Sequence, residues 1–285
     1  MSTALLFPGQ GSQTADMRQA VERHAPDLLE LVLEQVGADP FELADEGTAY
    51  AQPAIVCASL AMWEGAGRPD AAFFAGHSLG ELSALAAAGA LSPSDAVRLA
   101  VVRGSLMQEA GGRAPGGMMA LLGDGHEARA AVAAAGDVSI ANDNGPTQLV
   151  VAGPSAALDH TAAEAKARGV RTMRLAVSGA FHSPAIRPAV APYRKALERV
   201  EIHAPGLPVF SSSTASPFGA RGAAIRDQLA VALVRPVRWR ETMIALQELG
   251  AERFREVGPG KALTGMVKRA LEGVDAAVLD QVTHA

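Results

Sequence analysis

Residues 71–89, Ala71-Ala72-Phe73-Phe74-Ala75-Gly76-His77-Ser78-Leu79-Gly80-Glu81-Leu82-Ser83-Ala84-Leu85-Ala86-Ala87-Ala88-Gly89, decide the fold. The five apolar residues Ala71–Ala75 read as a buried strand, and Glu81–Ala88 reads as a helix that stops near Gly89. Between them lies Gly76-His77-Ser78-Leu79-Gly80, a G-x-S-x-G that turns straight from strand to helix. Flanking glycines allow a sharp turn without a Cβ clash. A serine at such a turn stands at the strand end, its oxygen near the positive end of the following helix. This is the setting of a nucleophile elbow, and Ser78 is the candidate nucleophile. The five-residue pattern alone is weak, and a plain glycine-rich turn is the alternative.

The α/β reading extends both ways. Thr3–Phe7 is a short apolar run ended by Pro8-Gly9 and reads as a strand. Met17–Val36 has apolar residues at helical spacing, with a break or restart at Pro26. Gln52–Trp63 and Pro93–Ala110 read as helices, the latter entered through Ser92-Pro93. The middle of the chain changes pattern: strand Gly117–Leu122, helix Glu127–Ala135, strand Val138–Asn142, a turn at Asn144-Gly145-Pro146, strand Leu149–Ala152, helix Ala156–Arg168, strand Arg171–Val177. That β-α-β-β-α-β order is ferredoxin-like. Beyond it come strand Val209–Ser212, helices Ala223–Leu233 and Arg240–Leu249, and strand Arg253–Val257. The expectation is one α/β domain, residues 1–113 and 179–285, interrupted by a small domain at 114–178.

A serine at neutral pH needs a base. Of the seven histidines, His24, His126 and His160 lie in polar helical segments and are expected at the surface. His203 falls in a loop, and His284 is next to last. His77 adjoins the serine, so its side chain should point elsewhere and pack the elbow. His182, in Gly179-Ala180-Phe181-His182-Ser183-Pro184, sits between the last small-domain strand and a helix, where the domains meet and clefts form. It is the candidate base; a hydrogen-bonded core histidine is the alternative. It lies 104 residues after Ser78, no acid is marked by any motif, and an α/β-hydrolase would place its histidine near the C-terminus. A backbone carbonyl can orient an imidazole equally well. Phe7-Pro8-Gly9-Gln10-Gly11-Ser12-Gln13 follows the first strand, and the Gln10 amide could join the Leu79 amide as an oxyanion hole. A tight loop would look the same. Arg103 sits inside an apolar helix between Val101-Val102 and Leu106-Met107. Most helical arginines are solvated, but a buried one suits bidentate capture of a carboxylate.

Composition removes other classes. The 285 residues carry 25 Lys and Arg against 30 Asp and Glu, a net charge of −5, with 49% hydrophobic and 4% aromatic residues. The isoelectric point is about 5.8 and the mean hydropathy +0.14. A chain this apolar and this long folds around a sizeable core. With no basic run it is a poor nucleic-acid binder. One cysteine, Cys57, makes neither an internal disulfide nor a Cys-based zinc site. No apolar stretch nears the roughly 18 residues of a membrane helix. The N-terminus lacks a basic n-region, so a cytoplasmic protein is expected.

Together the motifs resemble the malonyl-CoA:acyl carrier protein transacylases and the acyltransferase domains of polyketide synthases. The resemblance rests on Leu6–Gln13, Gln52-Pro53-Ala54, Gly76–Glu81, Arg103-Gly104 with Met107-Gln108, Asn144-Gly145-Pro146 through Val150–Gly153, Phe181–Pro184, Pro236-Val237-Arg238-Trp239 and Glu256–Lys261, in the family's order. It implies an α/β-hydrolase-like large domain with a ferredoxin-like insertion. It implies Ser78 as acyl acceptor and His182 as base, oriented by a main-chain carbonyl near Ala232. Gln10 and Leu79 would supply the oxyanion amides. Arg103 would hold the malonyl carboxylate, with Gln52, Met107, His77 and Phe181 around the substrate. The implied reaction carries malonyl from malonyl-CoA to the phosphopantetheine thiol of an acyl carrier protein, without metal or redox cofactor, in a monomer. Phe181 before the histidine goes with malonyl rather than methylmalonyl in the family, though Gly179-Ala180 departs from its His-Ala-Phe-His pattern. Rivals are an acyl hydrolase, a malonyltransferase subunit of malonate decarboxylase, and a noncatalytic carrier-binding module. Lys166, Arg168, Arg171 and Arg174 are the candidate dock for an acidic carrier, a solvated helix end being the alternative.

Overall fold

The computed structural model describes residues 2–177 and 179–279. The chain opens with strand β1 (Ser2–Phe7) and helices α1 (Met17–His24), α2 (Pro26–Val36) and α3 (Thr48–Gly65). Proline lacks an N–H and clashes inside a helix, so Pro26 starts α2 instead of extending α1. Next come β2 (Phe73–Gly76), α4 (Gly80–Ala87) and α5 (Pro93–Arg113), the last capped by Ser92 Oγ, which accepts from the Asp95 amide at 3.0 Å. The middle region forms β3 (Gly117–Leu122), α6 (Gly125–Ala135), β4 (Ser139–Gly145), β5 (Gln148–Gly153), α7 (Ser155–Ala167) and β6 (Arg171–Arg174). A 3-10 turn at Pro184–Ile186 leads into α8 (Arg187–Leu197). Then follow β7 (Val209–Ser211), β8 (Ser216–Pro217), α9 (Gly222–Ala232), α10 (Trp239–Glu248), β9 (Ala251–Glu256), α11 (Ala262–Ala270) and β10 (Asp275–Val278).

The larger sheet has strand order β10-β9-β1-β2-β7-β8. All its pairings are parallel except β7 with β8. Parallel strands are covered on both faces and read as unbroken apolar runs. Accordingly Ala4–Phe7 is fully buried, with Leu5 and Phe7 in one core cluster and Ala4 and Leu6 in the other.

The smaller sheet is antiparallel, in the order β4-β5-β3-β6. Its strands alternate with period two. Met119, Leu121, Leu149 and Val151 pack beneath α6 and α7, whereas Met118, Ala120, Val150 and Ala152 join the core of the larger unit. The small sheet therefore lies between its own helices and the large sheet's unit, and its second face borders the space at the ends of β1 and β2.

Several boundaries differ from the sequence reading. Strand β4 runs on to Gly145 instead of stopping at Asn142. The polar run Asn142-Asp143-Asn144 has turn composition, yet it stays extended because it is paired. The Asp143 amide donates to Val237 O at 2.8 Å, and the Val237 amide donates to Ala141 O at 2.8 Å. Asp143 also meets Arg129 of α6 at 2.6 Å. Strand β6 ends at Arg174, three residues early, and Leu175–Val177 bends into the cleft. Helix α3 begins at Thr48, a turn before Gln52-Pro53. The short strand β8, helix α11 and the edge strand β10 are additional to the elements read from the sequence. His24, expected at the surface, is half-buried against Gly65. His126, His160 and His203 are exposed; His284 lies outside the described residues.

Candidate active site

The turn after β2 is forced by its glycines. A Cβ on Gly76 would stand 2.0 Å from the Gly80 carbonyl carbon, and one on Gly80 would stand 2.1 Å from Phe7 O. Only glycine lets β1, the turn and α4 approach so closely. Ser78 itself has φ +51°, a left-handed conformation that is sterically costly for a side-chain-bearing residue. Such strain at a half-buried serine that borders the cleft is the mark of a nucleophile elbow.

His182 meets it from the other side. Ser78 Oγ lies 2.7 Å from His182 Nε2. His182 also has positive φ, +55°. Its Nδ1 lies 2.9 Å from Arg235 O and 3.1 Å from Ala232 O. Those carbonyls only accept, so the ring proton sits on Nδ1 and the Nε2 lone pair receives the Ser78 hydroxyl proton. Burial, and then the nearby Arg103 guanidinium, push the His182 pKa down from 6.5 to about 3, against the two carbonyl hydrogen bonds. The ring is neutral and ready to accept a proton at neutral pH.

Arg103 is 5% exposed. Its Nη1 donates to Gln52 Oε1 at 2.8 Å and its Nη2 to Ser78 Oγ at 3.0 Å. Burial lowers its pKa, opposed by Tyr193 and Glu81, but a guanidinium keeps its charge in a protein. No carboxylate pairs with it among the described residues, which leaves a buried cation facing the space beside Ser78. Gln52 is fixed by donating Nε2 to Met107 Sδ at 3.4 Å. The backbone amides of Gln10 and Leu79 have no hydrogen-bond partner among the described residues, and both residues line the cleft. The Gln10 side chain is tied to Thr48, with Nε2 3.0 Å from Thr48 Oγ1.

The cleft encloses about 380 Å³. Its floor is the elbow, the Gln10 loop and Arg103; its roof is Met118, Asn142, Asn144, Gln148 and Val150 of the small sheet, closed by Leu175–Val177. His77 points away from the serine, as its position implies. Its Nε2 lies 2.9 Å from Asn144 Oδ1, and its ring meets Trp239 edge-on at 5.3 Å. Among the described residues no group of three or more His, Cys, Asp or Glu side chains is placed to hold a metal ion. A serine with a neutral histidine, two free amides and a buried cation is equipped for acyl transfer involving an anionic acyl group.

The acyl transferase domain model matches residues 4–283. The chain belongs to the acyl transferase domain family. It is 37% identical to the malonyl CoA-acyl carrier protein transacylase of Escherichia coli K12, over 98% of this chain and 96% of that one. It is 39% identical to the polyketide biosynthesis protein ThaF of Burkholderia thailandensis, over 94% of this chain but only 24% of ThaF. Among solved structures, a malonyl-transacylase in complex with its type II polyketide synthase acyl-carrier protein superposes with a TM-score of 0.88 at 34% identity, covering 99% of this chain and 97% of that one.

Within this acyltransferase, Ser78, His182, Arg103, Gln52, Gln10, Leu79, Met107, Phe181 and His77 all border one cleft. Of the proposed dock, Arg168 is paired with Glu164 at 3.4 Å and Arg174 with Asp159 at 2.5 Å, while Lys166 and Arg171 are exposed. Sequence reasoning passed over Thr48, Asn142, Gln148 and Glu81. Glu81 carried the same signal as Arg103, a charge inside an apolar helix, and is 2% exposed. No helix among the described residues is long and apolar enough to cross a membrane.

Proposed function

We propose that this protein transfers malonyl groups from malonyl-CoA to the phosphopantetheine thiol of an acyl carrier protein, through an acyl-Ser78 intermediate. The observation that carries the reading is the unpaired Arg103 guanidinium donating to Ser78 Oγ at 3.0 Å, beside a neutral His182. The malonyl-transacylase relatives support it, since this is the activity they are named for.

Malonyl-CoA enters between the two sheets, and its free carboxylate pairs with Arg103, steadied by Gln52. Ser78 Oγ attacks the thioester carbon as its proton passes to His182 Nε2. The oxyanion is held by the Gln10 and Leu79 amides. The C–S bond breaks, His182 returns the proton to the coenzyme A thiolate, and coenzyme A leaves. The pantetheine thiol then gives its proton to the same nitrogen and attacks the malonyl ester, and Ser78 recovers its proton. No metal or redox cofactor takes part. Phe181, 4% exposed beside His182, crowds a methyl branch and favours malonyl over methylmalonyl. An acyl hydrolase for neutral chains would have no use for a buried cation at this place.

The architecture we assign is an α/β-hydrolase-like unit of residues 1–113 and 179–285 with a ferredoxin-like unit at 114–178, of which residues 1, 178 and 280–285 lie outside the described residues. The carrier dock we assign includes Lys166, Arg168, Arg171 and Arg174 beside the cleft, with Arg171 the least neutralised of the arginines. Incubation with malonyl-CoA followed by intact mass measurement tests the central step. A single malonyl adduct is expected on the wild type and none on Ser78→Ala. An adduct undiminished in that variant, or absent from the wild type, ends the reading.

A further inference from the structure

A nucleophile elbow is strained, and something must hold it. Three restraints on Ser78 are visible. His182 and Arg103 fix its Oγ. The third acts on the backbone: the Ser78 amide donates to Ser212 Oγ at 3.2 Å. Ser212 follows the end of β7, the strand beside β2 in the large sheet.

A hydroxyl that accepts from an amide must send its own hydrogen elsewhere. Ser212 Oγ donates to Glu81 Oε1 at 3.0 Å. The same carboxylate oxygen accepts the Ser212 amide at 2.7 Å and Ser211 Oγ at 2.9 Å. Glu81, Ser211 and Ser212 are all at most 2% exposed, and none lines the cleft. A buried carboxylate is retained only where donors satisfy it, and here three donors from one segment converge on one oxygen. The carboxylate belongs to the first turn of α4, the helix that begins immediately after the elbow. The chain thus closes a loop of hydrogen bonds from Ser78 to Ser212 to Glu81 and back along three residues of backbone.

From this closed loop we infer that Ser212 and Glu81 are positioning residues for the nucleophile. Glu81 sets the rotamer and proton of Ser212, and Ser212 holds the Ser78 amide so that Ser78 keeps its left-handed conformation with Oγ on His182 Nε2. The inference rests on the reading of Ser78 as the acyl acceptor. It predicts a defect in the reactivity of Ser78 rather than in substrate capture, because neither residue touches the cleft.

The test uses the whole protein and two readouts. The first is the rate of Ser78 labelling by a small fluorophosphonate, which needs an activated serine but no malonyl or coenzyme A recognition. The second is the split of kcat and KM for malonyl-CoA. Ser212→Ala is expected to slow labelling and lower kcat about tenfold or more, with KM within about twofold. Ser212→Thr, which keeps the hydroxyl, is expected to restore most of the rate. Glu81→Gln, a shape-preserving change with a weaker acceptor, is expected to act in the same direction, and it remains the deciding variant should Ser212→Ala fold poorly. Wild-type labelling rates in Ser212→Ala, or in Glu81→Gln should the first not fold, overturn the inference. So does a loss that falls on KM alone. A wild type that fluorophosphonate does not label at Ser78 overturns the nucleophile reading itself, a distinct outcome.

Discussion

Two side chains govern the chemistry at the scale of the residue. Arg103 is a buried cation with no carboxylate partner among the described residues, so its charge is available to a substrate. Arg103→Ala is expected to cut malonyl transfer about a hundredfold or more, as the loss of charged hydrogen bonds would. Transfer or hydrolysis of acetyl groups should rise relative to malonyl, and parallel assays of malonyl- and acetyl-CoA measure both. Unchanged malonyl transfer would remove Arg103 from the role. His182 governs the pH response. With its pKa near 3 instead of 6.5, the acylation rate should be almost the same at pH 5.5 as at pH 7. An ordinary histidine would lose about tenfold over that range. Stability, unlike the rate, changes over this range. The unfolded chain binds a proton below about pH 6.5 and the folded His182 does not. Its contribution to stability is therefore full above that value and falls away as pH drops toward 3. Urea midpoints at pH 7 and pH 5 should show the decline, with a smaller decline in His182→Asn.

At the scale of the element, the cleft wall opposite the elbow depends on a helix end. Helix α11 starts without a side-chain cap of its own. Glu256, 1% exposed at the end of β9, supplies one: Oε1 accepts the Leu263 amide at 3.1 Å and Oε2 the Thr264 amide at 2.7 Å. A carboxylate there also opposes the helix dipole favourably. Glu256→Gln has one acceptor oxygen and no charge, and should lower stability by about 1–2 kcal/mol, read as a shift in urea midpoint. The elements that sequence made legible are those with strong periodicity or strong punctuation: β1, the β2–α4 turn, α5 with its Ser92 cap, and the β-α-β-β-α-β segment. Those it hid are held by partners far along the chain. Asn142-Asp143-Asn144 looks like a turn and is a strand because Val237, Arg129 and His77 pair with it. Helix α11 is capped from β9, and no local signal announces that. The site divides the same way. Ser78, His182 and Arg103 stand out by motif or by incongruous charge. Thr48, Ser212 and Asn142 are ordinary polar residues whose roles exist only after folding.

At the scale of the whole molecule, the site lies where the small sheet faces the large one, and the dock proposed above would bring a carrier to that cleft. An acidic partner is attracted by local positive charge despite the net charge of −5. Arg168 and Arg174 already spend part of their charge on Glu164 and Asp159, so Arg171 should matter most. Arg171→Glu is expected to raise the KM for carrier protein several-fold at low salt, with the gap closing as salt is added. A KM indifferent to both would strike Arg171 from the dock. Where a histidine is steered by an aspartate, one altered codon can delete the steering. Here the Nδ1 proton is received by the carbonyls of Ala232 and Arg235, which every amino acid possesses. The sequence at those two positions is free to drift so long as the path of the chain between α9 and α10 is kept. The serine–histidine pair thereby offers two vulnerable side chains to mutation, where a triad with an aspartate offers three.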